Sequence, residues 1–198
     1  MRYLSYCART SYPVKAPSAP FASTKRKARC RVILCMSAHW LGTSPPYKGE
    51  LREERQRLFY GLYLLAQHAP VHFMSIRLEK TPRMNLETAL ADLLFEKLEA
   101  KRGFFSKFDE IVLHYDYGQP FLIGIILGAF RSKSLNARYE KTLQSAHPFM
   151  QVADLLGEME LVRHHCEMDL LTKSEISFFG EKRKIKKDYL KPLDRKTI

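Results

Sequence analysis

No acidic residue occurs in the first 49 positions of this 198-residue chain, although nine Lys or Arg do. Of the 33 basic residues that leaves 24 to face all 21 acidic ones, so residues 50–198 carry a net of +3 out of the total +12. The basic balance therefore belongs to the first quarter of the chain. A basic arm can bind nucleic acid or an anionic surface. This one lacks helical or strand periodicity over most of its length, and Pro13, Pro17, Pro20, Pro45 and Pro46 interrupt it. It reads as a poorly specified segment. No apolar stretch is long enough to span a bilayer, and the start, "MRYLSYCARTSYPVK", has no apolar middle of a secretory signal. Cys7, Cys30, Cys35 and Cys166 show no paired metal-type spacing; the plain reading is free thiols in a reducing cytoplasm, since a chain of this length argues against a disulfide framework. A Gly-rich phosphate loop, a nucleophile elbow and a zinc-protease helix are missing as well.

What is present is an alternation of elements. In the first segment only "CRVILCM", residues 30–36, looks like a strand. From Glu50, "ELREERQRLFYGLYLLAQHA" predicts a helix with an apolar stripe at Leu58, Leu62 and Leu65. A strand over 71–78 follows, then a helix in "MNLETALADLLFEKLEAKRG" with Asn85 as its cap and Gly103 as its stop. Next come a buried strand over 111–115, a helix from Pro120 to about Phe130, a short strand in "ARYEKTL" and a helix with Pro148 near its first position. Such alternation implies an α/β fold with a mostly parallel sheet and helices on both faces. The chain divides into a basic segment (1–49), an α/β domain (50–172) and a basic, aromatic-dotted tail (173–198). At this length and 45% hydrophobic composition, one core is the default.

The candidate chemistry lies in carboxylates. Asp116 ends the strand "IVLHY" just before a helix start, where open α/β sheets place their ligands; capping that helix or shaping the turn is the plainer role. In "MQVADLLGEMELV", Gln151, Asp154 and Glu158 share one helix face at i, i+3, i+7 spacing. A solvated stripe is the alternative. Glu79, at the end of the 71–78 strand, would emerge from the same sheet edge as Asp116 if the strands run parallel, or be a solvated strand end. Converging carboxylates suit hard divalent ions, Mg²⁺ or Mn²⁺, that hold phosphodiester oxygens. His164 and His165 point about 100° apart on a helix and make poor joint ligands with Cys166. His114 reads as a core or strand-face histidine.

"HYDYGQP" and "FMQVADLL", about thirty residues apart, carry a resemblance to the bacterial domain-of-unknown-function family 3800, which has an RNase H-like fold. The tail "SEISFFGEKRKIKKDYLKPL" resembles the ending of one subgroup, and the match runs from about Glu50 to Ile198. The resemblance implies a metal-dependent nuclease with Asp116 and Asp154 as metal ligands, Glu79 as a weaker third and Gln151 orienting a carboxylate or water. The chain departs from the family at its start, where a strand carrying Asp-Glu-Ser-Gly should stand and no acid is available. Residues 6–48 are thus expected to be a divergent or out-of-frame form of the family's first hairpin, with degenerate first strands, an uncovered sheet edge and a site short of one carboxylate. An Asp-Glu-Ser-Gly in an adjacent frame upstream of Glu50 is the test. The competing function is a non-catalytic module that binds nucleic acid or protein. Lys182, Arg183, Lys184, Lys186 and Lys187 would meet phosphates while Phe178, Phe179 and Tyr189 stack on bases, unless those aromatics pack back on the body. A role in a mobile-element system finds no residue for or against it.

Overall fold

The computed structural model describes residues 2–10, 31–40, 52–78, 82–115, 120–142 and 148–198, with the first two stretches, Arg52 and Pro120 described through their backbone alone. Five strands form one sheet: β1 (Arg2–Thr10), β2 (Arg31–Trp40), β3 (Val71–Leu78), β4 (Glu110–Tyr115) and β5 (Ala137–Lys141). Their spatial order is β3-β1-β2-β4-β5. β1 is antiparallel to both β2 and β3, whereas β4 is parallel to β2 and to β5. Four strands therefore run one way and β1 alone runs against them. The architecture is α/β with a mixed sheet.

β2 holds the central position and β1 the interior one beside it, which corrects the expectation of degenerate first strands and an uncovered sheet edge. The physical reason lies in where the prolines fall. All five prolines of the first segment lie outside Arg2–Thr10 and Arg31–Trp40, so neither strand loses a ladder donor. "RYLSYCART" and "RVILCMSAHW" are also rich in residues that suit a pleated, half-buried surface. Neither strand contains an acid.

Helices cover both faces. On one side α2 (Leu86–Ala100), the short α3 (Arg102–Phe105) and α4 (Pro120–Ser132) pack over Met74 and Ile76 of β3 and Ile111, Leu113 and Tyr115 of β4. α2 starts where expected, because the Asn85 side chain accepts from the Glu87 and Thr88 amides at 3.0 and 3.2 Å. Leu90, Leu94 and Leu98 then stack at i+4 intervals into the core. Its end differs from expectation: the helix closes at Ala100 with Lys101 as cap, and Gly103 sits inside α3, whose turn buries Phe105.

On the other side lie α1 (Arg52–His68), α5 (Pro148–Glu167) and the C-terminal helices α6 (Lys173–Phe179), α7 (Lys182–Lys184), a π-helix (Ile185–Leu190) and α8 (Lys191–Asp194). α1 buries Phe59, Tyr63 and Ala66 rather than the expected stripe; Leu62 and Leu65 are partly buried and Leu58 is 47% exposed. The rotation follows the larger aromatic payload. Phe59 meets Phe178, Phe179 and Tyr189 edge-on, at 5.4, 5.2 and 5.8 Å between centroids. The tail is thus a set of helices folded onto the body. Burial holds the Tyr63 hydroxyl at about 12, so it stays protonated, reaching the carbonyls of Asp188 and Tyr189 at 2.9 and 2.8 Å. The C-terminus continues to the outer edge of the sheet, where the Phe73 amide donates to the Lys196 carbonyl and the Ile198 amide to the Phe73 carbonyl. This covers part of the free edge of β3. Phe59→Ala is expected to lower stability by about 3–5 kcal/mol and to make the C-terminal helices the first cleaved by protease, as mass spectrometry of the fragments would show.

No helix among the described residues is long and apolar enough to cross a membrane.

Candidate functional site

α5 crosses the face of β1 and β2 and reaches β3. Ser75 of β3 donates to Glu160 at 3.2 Å, and Arg77 donates to His164 Nδ1 at 3.1 Å and pairs with Glu167 at 3.5 Å. The helix is buried on most sides, through Met150, Val152, Ala153, Leu155, Leu156, Met159 and Val162 among others. Within that apolar setting the sequence places two carboxylates one turn apart, Asp154 and Glu158. Both are partly buried, as is Gln151 in the first turn. Glu158 Oε1 is inaccessible and has no hydrogen-bond partner among the described residues. Burial, and then the charge of Asp154, push the Glu158 carboxyl up to about 8. The Asp154 charge acts on Glu158 as a like charge does wherever carboxylates share a desolvated site.

β3 and β4 run the same way, so their carboxyl ends share one edge of the sheet. Two strands stand between them, which puts those ends about 14 Å apart across the sheet. Asp116 and Glu79, which follow β4 and β3, lie outside the described residues. So do residues 143–147, which lead from β5 into α5.

β4 alternates faces. Ile111, Leu113 and Tyr115 pack with α2 and α4, so Val112 and His114 belong to the face that carries α5. His114 is buried; its Nδ1 lies 2.6 Å from Thr142 Oγ1, and its Nε2 lies 3.7 Å from Glu140 of β5. Sequence reasoning placed His114 in the sheet but missed this pairing with Glu140 and Thr142. The cross-strand register of His114 with Glu140 depends on how β4 and β5 align, which neither strand reveals alone. Glu158 shared the predicted helix face but not the predicted ligand set. Its apolar neighbours were the available signal.

The two histidines at the end of α5 go separate ways. His164 faces Arg77, whereas His165 Nδ1 lies 2.7 Å from Glu175. Burial raises the Cys166 thiol above its usual range. No group of three or more metal-ligating side chains is present among the described residues. In the tail, Lys182 pairs with Asp169, while Arg183, Lys184, Lys186 and Lys187 are exposed. Tyr189 is buried and Phe178 and Phe179 are partly buried, all three edge-on to Phe59, which is the packing back on the body that the sequence left open as the alternative to stacking on bases.

No family model matches the chain, and no curated protein matches it. Among solved structures, the complex of PCNA with RNase HII from Archaeoglobus fulgidus matches over 69% of this chain and 60% of that one, at 12% identity and a TM-score of 0.34. A likeness at that level fixes neither fold nor function.

Proposed function

We propose that this chain is an RNase H-like, divalent-metal-dependent phosphodiesterase acting on nucleic acid, with the cation held by Asp154 and Asp116 and with Glu158 beside it. The observation that carries this reading is the carboxylate pair on α5. Glu158 Oε1 is buried without a hydrogen-bond partner among the described residues, one turn from Asp154. Burial and the neighbouring Asp154 disfavour a charged Glu158, and a bound cation would offset that cost. Asp154, Glu158, Asp116 and the Gln151 amide offer oxygen donors, the set that Mg²⁺ and Mn²⁺ prefer over zinc. The motifs around Asp116 and Asp154 support the same reading through their family resemblance. Glu79 is the weakest member, because β3 and β4 end three strand spacings apart.

Bound there, a divalent ion would polarise a phosphoryl oxygen and lower the pKa of water. The chain's own contribution is to fix the carboxylates on a rigid, buried helix and to keep bulk water from most of their surface. Glu158 would carry a proton at neutral pH in the metal-free protein and release it as the cation arrives, so metal affinity should rise with pH up to about 8. Cleavage of duplex and hybrid nucleic acids with Mg²⁺, Mn²⁺ or EDTA, by wild type, Asp116→Asn and Asp154→Asn, tests the proposal. Metal-dependent cleavage lost in both variants is the expected result. No cleavage by any form would leave a binding module as the function.

A further inference from the structure

The C-terminal helical run has two unlike sides. Ile185, Tyr189, Leu190 and Leu193 are buried against α1 and α5, whereas Arg183, Lys184, Lys186, Lys187, Lys191 and Arg195 are exposed. Six exposed cations thus face two acids on the same run, Asp188 and Asp194, and Arg163 already holds Asp194 at 2.7 Å. Arg183, Lys187, Lys191 and Arg195 recur every fourth residue. In an α-helix such a row drifts by about 40° per step; the wider turn of the π-helix over Ile185–Leu190 takes up part of that drift. The row spans twelve residues, at most about 18 Å.

This row is held in place rather than dangling. Tyr63 reaches the Asp188 and Tyr189 carbonyls, Tyr60 meets the Tyr189 hydroxyl at 3.0 Å, and the chain beyond the run is bonded to β3.

We propose that this outward face binds the phosphate backbone of a nucleic-acid duplex without reading its sequence. The partner follows from what the surface offers and what it has spent elsewhere. The run's one aromatic, Tyr189, is buried, so the run itself offers no platform for the bases of a single strand. The apolar side is buried, so the run has nothing to insert into a lipid surface. A row of two lysines and two arginines remains. It suits regularly spaced phosphates, which both side chains bind. The inference stands apart from the metal chemistry, since binding can be read in EDTA.

Fluorescence anisotropy with two 20-base-pair duplexes of unrelated sequence, in EDTA between 50 and 200 mM KCl, is the test. Both duplexes should bind alike, with log K falling linearly against log salt at a slope of about −3 to −4 for roughly four phosphate contacts. The combined Arg183→Glu, Lys187→Glu, Lys191→Glu, Arg195→Glu variant should lose at least tenfold in affinity at 50 mM KCl while melting like wild type. Lys107→Glu, an exposed cation far along the chain on the turn after α3, should bind as wild type does. Four results would overturn the proposal: retained affinity in the folded quadruple variant, an equal loss in Lys107→Glu, tighter binding of the single strand, or competition by polyglutamate or phosphatidylserine vesicles as effective as unlabelled duplex. If the quadruple variant does not fold, the pair Lys187→Gln and Lys191→Gln replaces it, with a slope shallower by about 2 as the expected result and an unchanged slope as the contrary one.

Discussion

Asp154→Asn is expected to reduce metal-dependent cleavage by about 10² to 10⁴-fold, since a cation at a phosphoryl oxygen supplies several kcal/mol of transition-state stabilisation and each 1.36 kcal/mol is tenfold in rate. The substitution keeps the shape of the side chain while removing its charge and turning one acceptor oxygen into an amide donor. α5 is buried along most of its length and tied to β3 through Glu160 and His164, so the helix should hold its place. A purely structural role for Asp154 would show differently, as a loss of stability with residual activity in proportion to the folded fraction. Single-turnover cleavage and thermal melts on the same samples separate the two. Duplex binding in EDTA should be unchanged, because the cations of the C-terminal run lie on other elements.

Glu158→Gln should remove a pH-dependent loss of stability from the metal-free protein. The folded-state pKa is raised from 4.5 to about 8, so between those values the native state holds a proton that the unfolded chain has released. Stability then falls as pH rises from about 4.5 to about 8, by at most about 1.4 kcal/mol per pH unit, and levels off above. The glutamine variant should show a flatter profile over this window and exceed wild type by a few kcal/mol at pH 8. Urea melts in EDTA at successive pH values would read both profiles. Parallel curves for wild type and variant would mean that Glu158 is solvated in the native state. Saturating Mn²⁺ should restore wild type at pH 8 more than it does the variant, because only the wild type has the extra carboxylate to offer.

Much of the fold was legible wherever a local rule decided it. The Asn85 cap and the strand at Val71–Leu78 stand where the sequence puts them. Non-local choices were not legible. The insertion of β1 between β3 and β2 depends on pairing across more than sixty residues of chain, and the composition of the first segment hid two serviceable strands between its prolines. The rotation of α1 onto Phe59 and Tyr63 depends on aromatics that arrive more than a hundred residues later. The C-terminal helices were obscured by their lysines. Two signals were available there: the box formed by Thr172 and Glu175, each bonded to the other's backbone amide, and the spacing of Ile185, Tyr189 and Leu193. Of the site, the α5 face with Gln151, Asp154 and Glu158 could be read from i, i+3, i+7 spacing alone. The burial that makes Glu158 unusual could not, because it comes from packing on β1, β2 and the helices behind.

Mn²⁺ titration at pH 8, followed by electron paramagnetic resonance of the free ion, asks directly whether the α5 carboxylates hold a cation. Wild type should take up one or two equivalents, Asp154→Asn and Asp116→Asn should each lose at least tenfold in affinity, and wild-type affinity should weaken as pH falls below 8. Uptake that is absent at pH 8, or that is the same in wild type and Asp154→Asn, would contradict the account.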